Sequence, residues 1–259
     1  MIDYGLKGRV ALVTGGSRGI GRAIASKLLE AGCAVAILSR HQESLDVGRR
    51  ALEPLGQVLA VQADVTVRRE VGRAVRTVED QLGRVDVLVN NAGISSKHAL
   101  MDIDERHWDD VMETNVRSML FCCQEVAPGM MQRRWGRILN ASSYAAWHPS
   151  LNRGAYAASK AAVIAVTRTW AGELAPFGIT VNAYAPGDIE TDIMAEALAT
   201  QADQLTQRIA LRRVGTPAEV AEVVVFLASE RASYQTGITV EISGGKFVVQ
   251  NPWEAHLNR

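Results

Sequence analysis

Short β-branched runs alternate along this chain with longer stretches in which apolar residues recur every three or four positions. VALVTG (10–15), AVAILS (34–39), QVLAVQAD (57–64), VDVLVNNAG (85–93), RILNASS (137–143), ITVNAYAPG (179–187) and TVEISGG (239–245) predict strands. Most are apolar nearly throughout rather than alternating, which fits strands buried on both faces. Between them GIGRAIASKLLEAG (19–32), REVGRAVRTVEDQLG (69–83) and TPAEVAEVVVFLASE (216–230) carry helical spacing, the first stopping at Gly32. Thr216 and Pro217 open the last of these as an N-cap followed by proline at the first helical position. Strands and helices in alternation predict an α/β fold, a single doubly wound domain over residues 1–259 with a mainly parallel, seven-stranded sheet. No linker, repeat or low-complexity segment divides it.

Composition narrows the function classes. The 259 residues are 47% apolar, and 28 Lys and Arg balance 28 Asp and Glu, so nothing favours a nucleic-acid or anionic-membrane partner. The longest apolar runs, such as VVVFLA (223–228), fall far short of the roughly 20 residues that span a bilayer. MIDYGLKGR at the start lacks the apolar core of a secretory signal. Cys33, Cys122 and Cys123 are an odd set whose adjacent pair cannot easily bridge, so reduced, buried thiols in a cytoplasmic protein are expected. The five histidines show no metal-ligand spacing, and no metal site is expected.

Candidate chemistry begins where the first strand runs through TGGSRGIG (14–21) into a helix. A tight turn at Gly15, with close packing at Gly19 and Gly21, would bring a pyrophosphate to the free N–H groups and positive end of that helix. The spacing is G-x-x-x-G-x-G, and a simple strand–helix turn is the alternative. No carboxylate closes the second strand, which ends in Ser39-Arg40; Arg18 in the loop adds another guanidinium. Two arginines able to flank a 2′-phosphate favour NADP(H) over NAD(H) as cofactor.

A second feature is GAYAASKAAV (154–163), where Tyr156 and Lys160 leave one face of an alanine-rich helix. Tyrosine has an ordinary pKa near 10, too high for easy proton exchange at neutral pH. A lysine one turn away would stabilise the phenolate and lower that value. The bland alternative is a packed tyrosine beside a snorkelling lysine.

Together these motifs resemble the short-chain dehydrogenase/reductase family over nearly the full length. TGGSRGIG matches its TGxxxGxG loop, NNAG (90–93) its NNAG motif, Y-A-A-S-K (156–160) its YxxxK and PGDIET (186–191) its PGxxxT. Asn115 falls at its helix asparagine and Ser143 at its active-site serine. The resemblance implies a Rossmann-type domain whose catalytic residues are Asn115, Ser143, Tyr156 and Lys160. Ser143 would orient the substrate oxygen against Tyr156, with Ser142 the neighbouring candidate; Asn115 would hold a relay water, and Lys160 would also bond the nicotinamide ribose. The cofactor would further contact Ser17, Arg18, Ile20, Arg40, Pro186 and Gly187. Asp64 and Val65 would hold the adenine, Asn91, Ala92 and Gly93 the adenosine ribose and pocket floor, and Ile189 the carboxamide with Thr191 nearby. Asp64 as a strand-end cap and Asn90-Asn91 as a turn are the alternatives.

The expected activity is NADP(H)-dependent interconversion of a ketone and a secondary alcohol, in the manner of the 3-oxoacyl-thioester reductases of that family. A sugar, polyol or other small alcohol dehydrogenase is the second reading, and a non-catalytic dinucleotide-binding regulator the third. A homotetramer (or dimer) is implied, with helices around 105–130 and 156–175 at its interfaces. Trp147, His148 and Asn152 are candidates to face the substrate, and His148 reads as a loop residue rather than a base. Residues 192–213 are expected to form a lid, with Met194, Ala195 and Leu198 as an apolar cover. Asp188 stands where the family often has a bulky apolar residue; bonding a polyol or amine, repelling an acid and capping a turn all remain open. Phe247, Val248, Val249 and Trp253 in the extension over 246–259 are expected at a subunit interface or a neighbouring active site.

Overall fold

Strand β1 (Val10–Thr14) enters the glycine loop and helix α1 (Gly19–Glu30), and the same strand-then-helix step recurs along the chain. The computed structural model describes residues 3–191 and 194–256, the side chains of 195–198 excepted. Next come β2 (Ala34–Ser39), α2 (Gln42–Leu52), β3 (Val58–Gln62), α3 (Arg68–Leu82), β4 (Val87–Asn90), α4 (Glu105–Met112) and α5 (Ser118–Arg133). β5 (Gly136–Ala141), α6 (Gly154–Leu174), β6 (Ile179–Pro186), α7 (Ala195–Gln207), α8 (Pro217–Ala228) and β7 (Thr239–Ile242) complete the series. All strand pairs are parallel, in the order β3-β2-β1-β4-β5-β6-β7. The strand order reverses between β1 and β4, and the crevice there, beyond the strands' C-terminal ends, is where open α/β sheets take ligands.

Each expected strand is present, trimmed by a few residues at its ends. Strand pleating sends Ala11 and Val13 of β1 to one face, with Ile24 and Leu28 of α1 and Val224 and Leu227 of α8. Leu12 goes to the other, with Val71 and Val75 of α3 and Val126 and Met130 of α5. Apolar area removed from water on both faces is the main force holding the layers together. Thr216 and Glu219 close a full capping box at the start of α8, ahead of Pro217.

The helical stretch around 105–130 differs from expectation. It is broken between α4 and α5 by a π-helical segment over Glu113–Arg117, with Asn115 buried inside it. Wide turns of this kind occur often at functional sites.

At the opposite, N-terminal edge of the sheet, two buried charges, Asp86 and Arg137, meet partly exposed partners. Asp86, 1% exposed, accepts from Val10 N at 3.0 Å and Arg84 Nε at 2.8 Å. Arg9 and Arg133 approach it at 3.6 and 3.9 Å. Nearby, buried Arg137 meets Glu230 at 3.2 Å, and Arg9 stacks 3.7 Å above the Trp135 ring.

Candidate active site

The loop after β1 is held from beneath by the end of β4. Asn91 Nδ2 donates to the carbonyls of Thr14 and Gly15, and Asn91 Oδ1 accepts from Tyr184 Oη at 3.1 Å. Thr14 Oγ1 accepts from the backbone N–H groups of Asn91 and Ala92. The glycines follow from this closeness: a Cβ on Gly21 would stand 2.2 Å from the Gly15 carbonyl oxygen and 2.6 Å from Asn91 Nδ2. The Asn91 side chain is therefore spent on bracing the loop, a role that the reading of it as a ribose contact did not foresee.

Asn115 hangs from the π-helical turn and clamps the strand-end loop. Its Oδ1 accepts from Ile94 N at 2.8 Å, while Nδ2 donates to Ile94 O and to Ser159 Oγ, each at 2.9 Å. Gly93 lets this happen, since a Cβ there would meet Asn115 Oδ1 at 3.0 Å and Lys160 Nζ at 3.3 Å.

Helix α6 brings Tyr156 and Lys160 to the same cleft. Lys160 is 4% exposed and its Nζ donates to the Ala141 carbonyl at 2.8 Å. Burial brings its pKa down from 10.5 to about 8. The ammonium lies 5.7 Å from the centre of the Tyr156 ring. Ser142 points into the core and donates to the Lys160 carbonyl at 2.9 Å. Ser143 instead caps the short turn that follows, accepting from Ala145 N at 3.1 Å, and lines the cleft together with Tyr156. The two serines thus take opposite faces, as successive residues leaving a strand must.

The phenol's own balance differs from the simple expectation. Burial raises its pKa, and the Ser143 hydrogen bond and the Arg153 charge pull the other way. The protein's groups leave Tyr156 protonated at neutral pH, the form that donates a proton.

One continuous cleft of about 680 Å³ joins these residues to the glycine loop. Gly15, Ser17, Arg18, Gly19, Ile20 and Gly21 line it on one side, with Arg40, Asp64 and Val65 farther out. Asn91, Ala92 and Gly93 form part of its floor, and Pro186, Gly187, Ile189 and Thr191 the wall after β6. The first turn of α1 has no side-chain cap, so its N–H groups face the cleft without competition. Those donors, the glycine cradle and the lack of a carboxylate after β2 fit a dinucleotide with a 2′-phosphate. Arg18 and Arg40 are exposed at that end, and Arg73 lies beside Arg40 in an adjoining hollow. Asp64 Oδ1 accepts from Thr66 N and Thr66 Oγ1, so this residue caps the strand-end turn while also lining the cleft.

Beyond Ser143 the cleft is lined by Tyr144, His148, Asp188, Arg153, Met194, Gln201, Leu205, Arg208 and Lys246. His148 is stacked on Tyr144, with centroids 4.7 Å apart. Trp147 and Asn152 are not among the lining residues; Asn152 has φ 62° in an exposed turn. Within the expected lid, Asp192, Ile193 and the side chains of Ala195 and Leu198 lie outside the described residues. Phe247 packs toward Tyr144 and His148 of its own chain, at 6.2 Å from each ring. Sequence reasoning missed Lys246 and Tyr144. The only signal was position, one residue past a Gly-Gly pair and one past the serine.

Comparison with known proteins agrees with this geometry. Residues 15–246 match the family model adh_short_C2, described as enoyl-(acyl carrier protein) reductase. The chain is 43% identical to the 3-oxoacyl-[acyl-carrier-protein] reductase FabG of Staphylococcus epidermidis, covering 92% of this chain and 98% of that protein. Against the FabG of Vibrio cholerae identity is 39%, covering 94% and 99%. Among solved structures, a putative gluconate dehydrogenase from Agrobacterium tumefaciens superposes with a TM-score of 0.93 at 31% identity, over 96% of this chain and all of that one. A short-chain type dehydrogenase/reductase from Mycobacterium marinum gives 0.90 at 33% identity, over 95% and 98%. With sequence relatives and fold neighbours in accord across nearly its whole length, the chain belongs to the short-chain dehydrogenase/reductase family.

Proposed function

We propose that this single-domain protein is an NADP(H)-dependent oxidoreductase interconverting a ketone and a secondary alcohol, by a Ser-Tyr-Lys proton relay like that of the 3-oxoacyl thioester reductases. The observation that carries this reading is the convergence of Ser143, Tyr156 and the buried Lys160 on one cleft with the glycine loop. NADPH, when bound, supplies the hydride. Ser143 and Tyr156 would together bond the carbonyl oxygen, fixing its position for attack at carbon. Tyr156 then gives its proton to that oxygen, and the Lys160 cation stabilises the phenolate left behind. Asn115 would hold the loop at Ile94 and Ser159 on α6 in register with the lysine. Reduction of a carbon–carbon double bond, which the family model's description names, would place the final proton on carbon. Two hydroxyl groups converging on one oxygen support carbonyl reduction instead.

Arg18 and Arg40 would pair with the 2′-phosphate of the cofactor, and Gly15 to Gly21 with its pyrophosphate. Asp64, Val65 and residues 91–93 would border the adenosine, and Pro186 to Thr191 the nicotinamide. A homotetramer (or dimer) in the cytoplasm completes the reading. Trp108 and Leu120 of the α4–α5 region, Phe226 of α8 and Ile238 just before β7 are exposed apolar residues that such an assembly would cover.

The test is consumption of NADPH with acetoacetyl-CoA. Turnover that disappears in Ser143→Ala and Tyr156→Phe supports the reading; turnover that survives both contradicts it. Arg40→Asp is expected to shift the NADPH:NADH ratio of kcat/KM toward NADH by about tenfold or more, equivalent to the ~1.4 kcal/mol of one charge-assisted contact. An unchanged ratio contradicts the phosphate assignment.

A further inference from the structure

Two consecutive glycines in left-handed backbone, Gly244 at φ 64° and Gly245 at φ 75°, turn the chain after β7 back over the cleft. Phe247 shares that conformation at φ 54°, an unusual state for a bulky residue. The turn is fastened to the segment after α7: Phe247 N donates to Arg208 O at 3.0 Å, and Leu211 N to Gly244 O at 3.1 Å. Lys246 is thereby pressed inward. Its Nζ donates to Asp188 Oδ2 at 2.6 Å, with both side chains largely buried at 14% and 16% exposure.

The pair occupies the cleft wall beside the reacting groups. The Lys246 ammonium lies 5.3 Å from the Tyr144 ring centre, and Tyr144 directly follows Ser143. Hydrogen-bonding capacity here is not used up. Among the described residues Lys246 Nζ spends one of its three donors and Asp188 Oδ1 accepts no hydrogen bond. Tyr144 Oη is buried, with the whole residue 5% exposed, and has no partner among the described residues. Burial, with the nearby Glu241 and Asp188 charges, holds that phenol protonated, up to about 12. Donors and acceptors of both kinds thus converge next to a face of stacked rings, Tyr144, His148 and Phe247.

Resting on the oxidoreductase reading above, we propose that Asp188, Lys246 and Tyr144 form a hydroxyl-recognition subsite, so that the preferred ketone carries hydroxyl groups on the carbons next to its carbonyl. Adjacent hydroxyls on a carbon chain each give and take one hydrogen bond, matching the free ammonium protons, the free carboxylate oxygen and the phenol. The ring faces suit the C–H side of such a chain. A saturated chain would leave these buried groups unpaired, which is the strongest form of discrimination a pocket has. The pair's net charge is zero, which favours neutral hydroxyls over a carboxylate, since any anion drawn to Lys246 also meets Asp188.

Four-carbon ketones make the test: erythrulose, butanone and acetoacetate, each with saturating NADPH. The wild-type protein is expected to favour erythrulose over butanone by about 100-fold in kcat/KM. Asp188→Leu with Lys246→Met should reduce that preference to a few-fold, mainly by lowering kcat/KM for erythrulose. Tyr144→Phe, which removes one oxygen and keeps the ring, should cost erythrulose about tenfold more in kcat/KM than it costs butanone. A wild-type preference for butanone, or a preference untouched in these variants, overturns the proposal. A Lys246-dependent preference for acetoacetate overturns it in favour of an anion site. If no ketone turns over, the oxidoreductase reading has failed, and calorimetry on NADPH-saturated Tyr156→Phe protein decides the subsite separately. Erythrulose binding that the Asp188/Lys246 substitutions abolish supports it; equal or absent binding in both proteins overturns it.

Discussion

The two ends of one sheet treat buried charge in opposite ways. At the N-terminal edge, the Asp86 carboxylate is surrounded by Arg9, Arg84 and Arg133, and Arg137 has Glu230, so charge there is answered by charge. At the C-terminal edge, Lys160 is equally buried but donates to the Ala141 carbonyl and meets no carboxylate among the described residues, and burial drags its pKa down to about 8. Neutralised clusters hold a fold in register. A cation kept without a carboxylate is costly, and its stabilising field remains free for a negative charge that forms during a reaction. The contrast locates the working end of the molecule without reference to any motif.

Substitutions at the two ends should therefore fail differently. Tyr156→Phe is expected to lower kcat by about 10³-fold while NADPH affinity changes little, because only the transferable proton is lost; fluorescence titration beside steady-state rates checks this. Asp86→Asn should instead cost about 3 kcal/mol in denaturant unfolding, since it leaves three guanidinium groups around an uncharged amide. Its kcat, measured where the protein is folded, should stay within a few-fold of wild type. A large fall in kcat would dissolve the distinction between the two ends.

Lys160→Met sharpens the contrast further, because removing a costly charge should stabilise the cofactor-free protein while abolishing turnover. The folded pKa of Lys160 lies below its unfolded value of about 10.5. Wild-type stability therefore carries the full cost of the buried cation below pH 8 and is relieved of it as pH rises toward 10.5. Met at this position is expected to gain about 2 kcal/mol at pH 7, less than the ~3 kcal/mol of the full pKa shift because the Ala141 carbonyl loses its donor. The gain should shrink steadily above pH 8. Thermal melts across that range check it, and a variant destabilised at every pH contradicts the account.

Most of the sheet could be read from the chain because parallel strands buried on both faces must be apolar throughout, and those runs stand out between helical stretches. The glycine loop, Tyr156 and Lys160 were equally legible, since spacing along one strand–helix turn or one helix face fixes their neighbours. Ser143 over Ser142 followed from pleating and family register. What stayed hidden depends on contacts between distant segments. Asn91 turned out to brace the loop through Thr14 and Tyr184. The π-helical turn at Asn115 has no sequence period of its own. Asp188 showed only as a departure from a pattern, and its partner Lys246 sits 58 positions away, brought back by two glycines. His148 likewise offered no sign that it would stack on Tyr144.

The most direct test is a titration of the Lys160 ammonium in the cofactor-free protein, followed by NMR of isotope-labelled lysine side chains and assigned with Lys160→Met. The account predicts a midpoint near pH 8, well apart from the exposed lysines. A midpoint at the ordinary value near 10.5 would show that this cation is solvated or answered by another charge, and the division between the two ends of the sheet would fall with it.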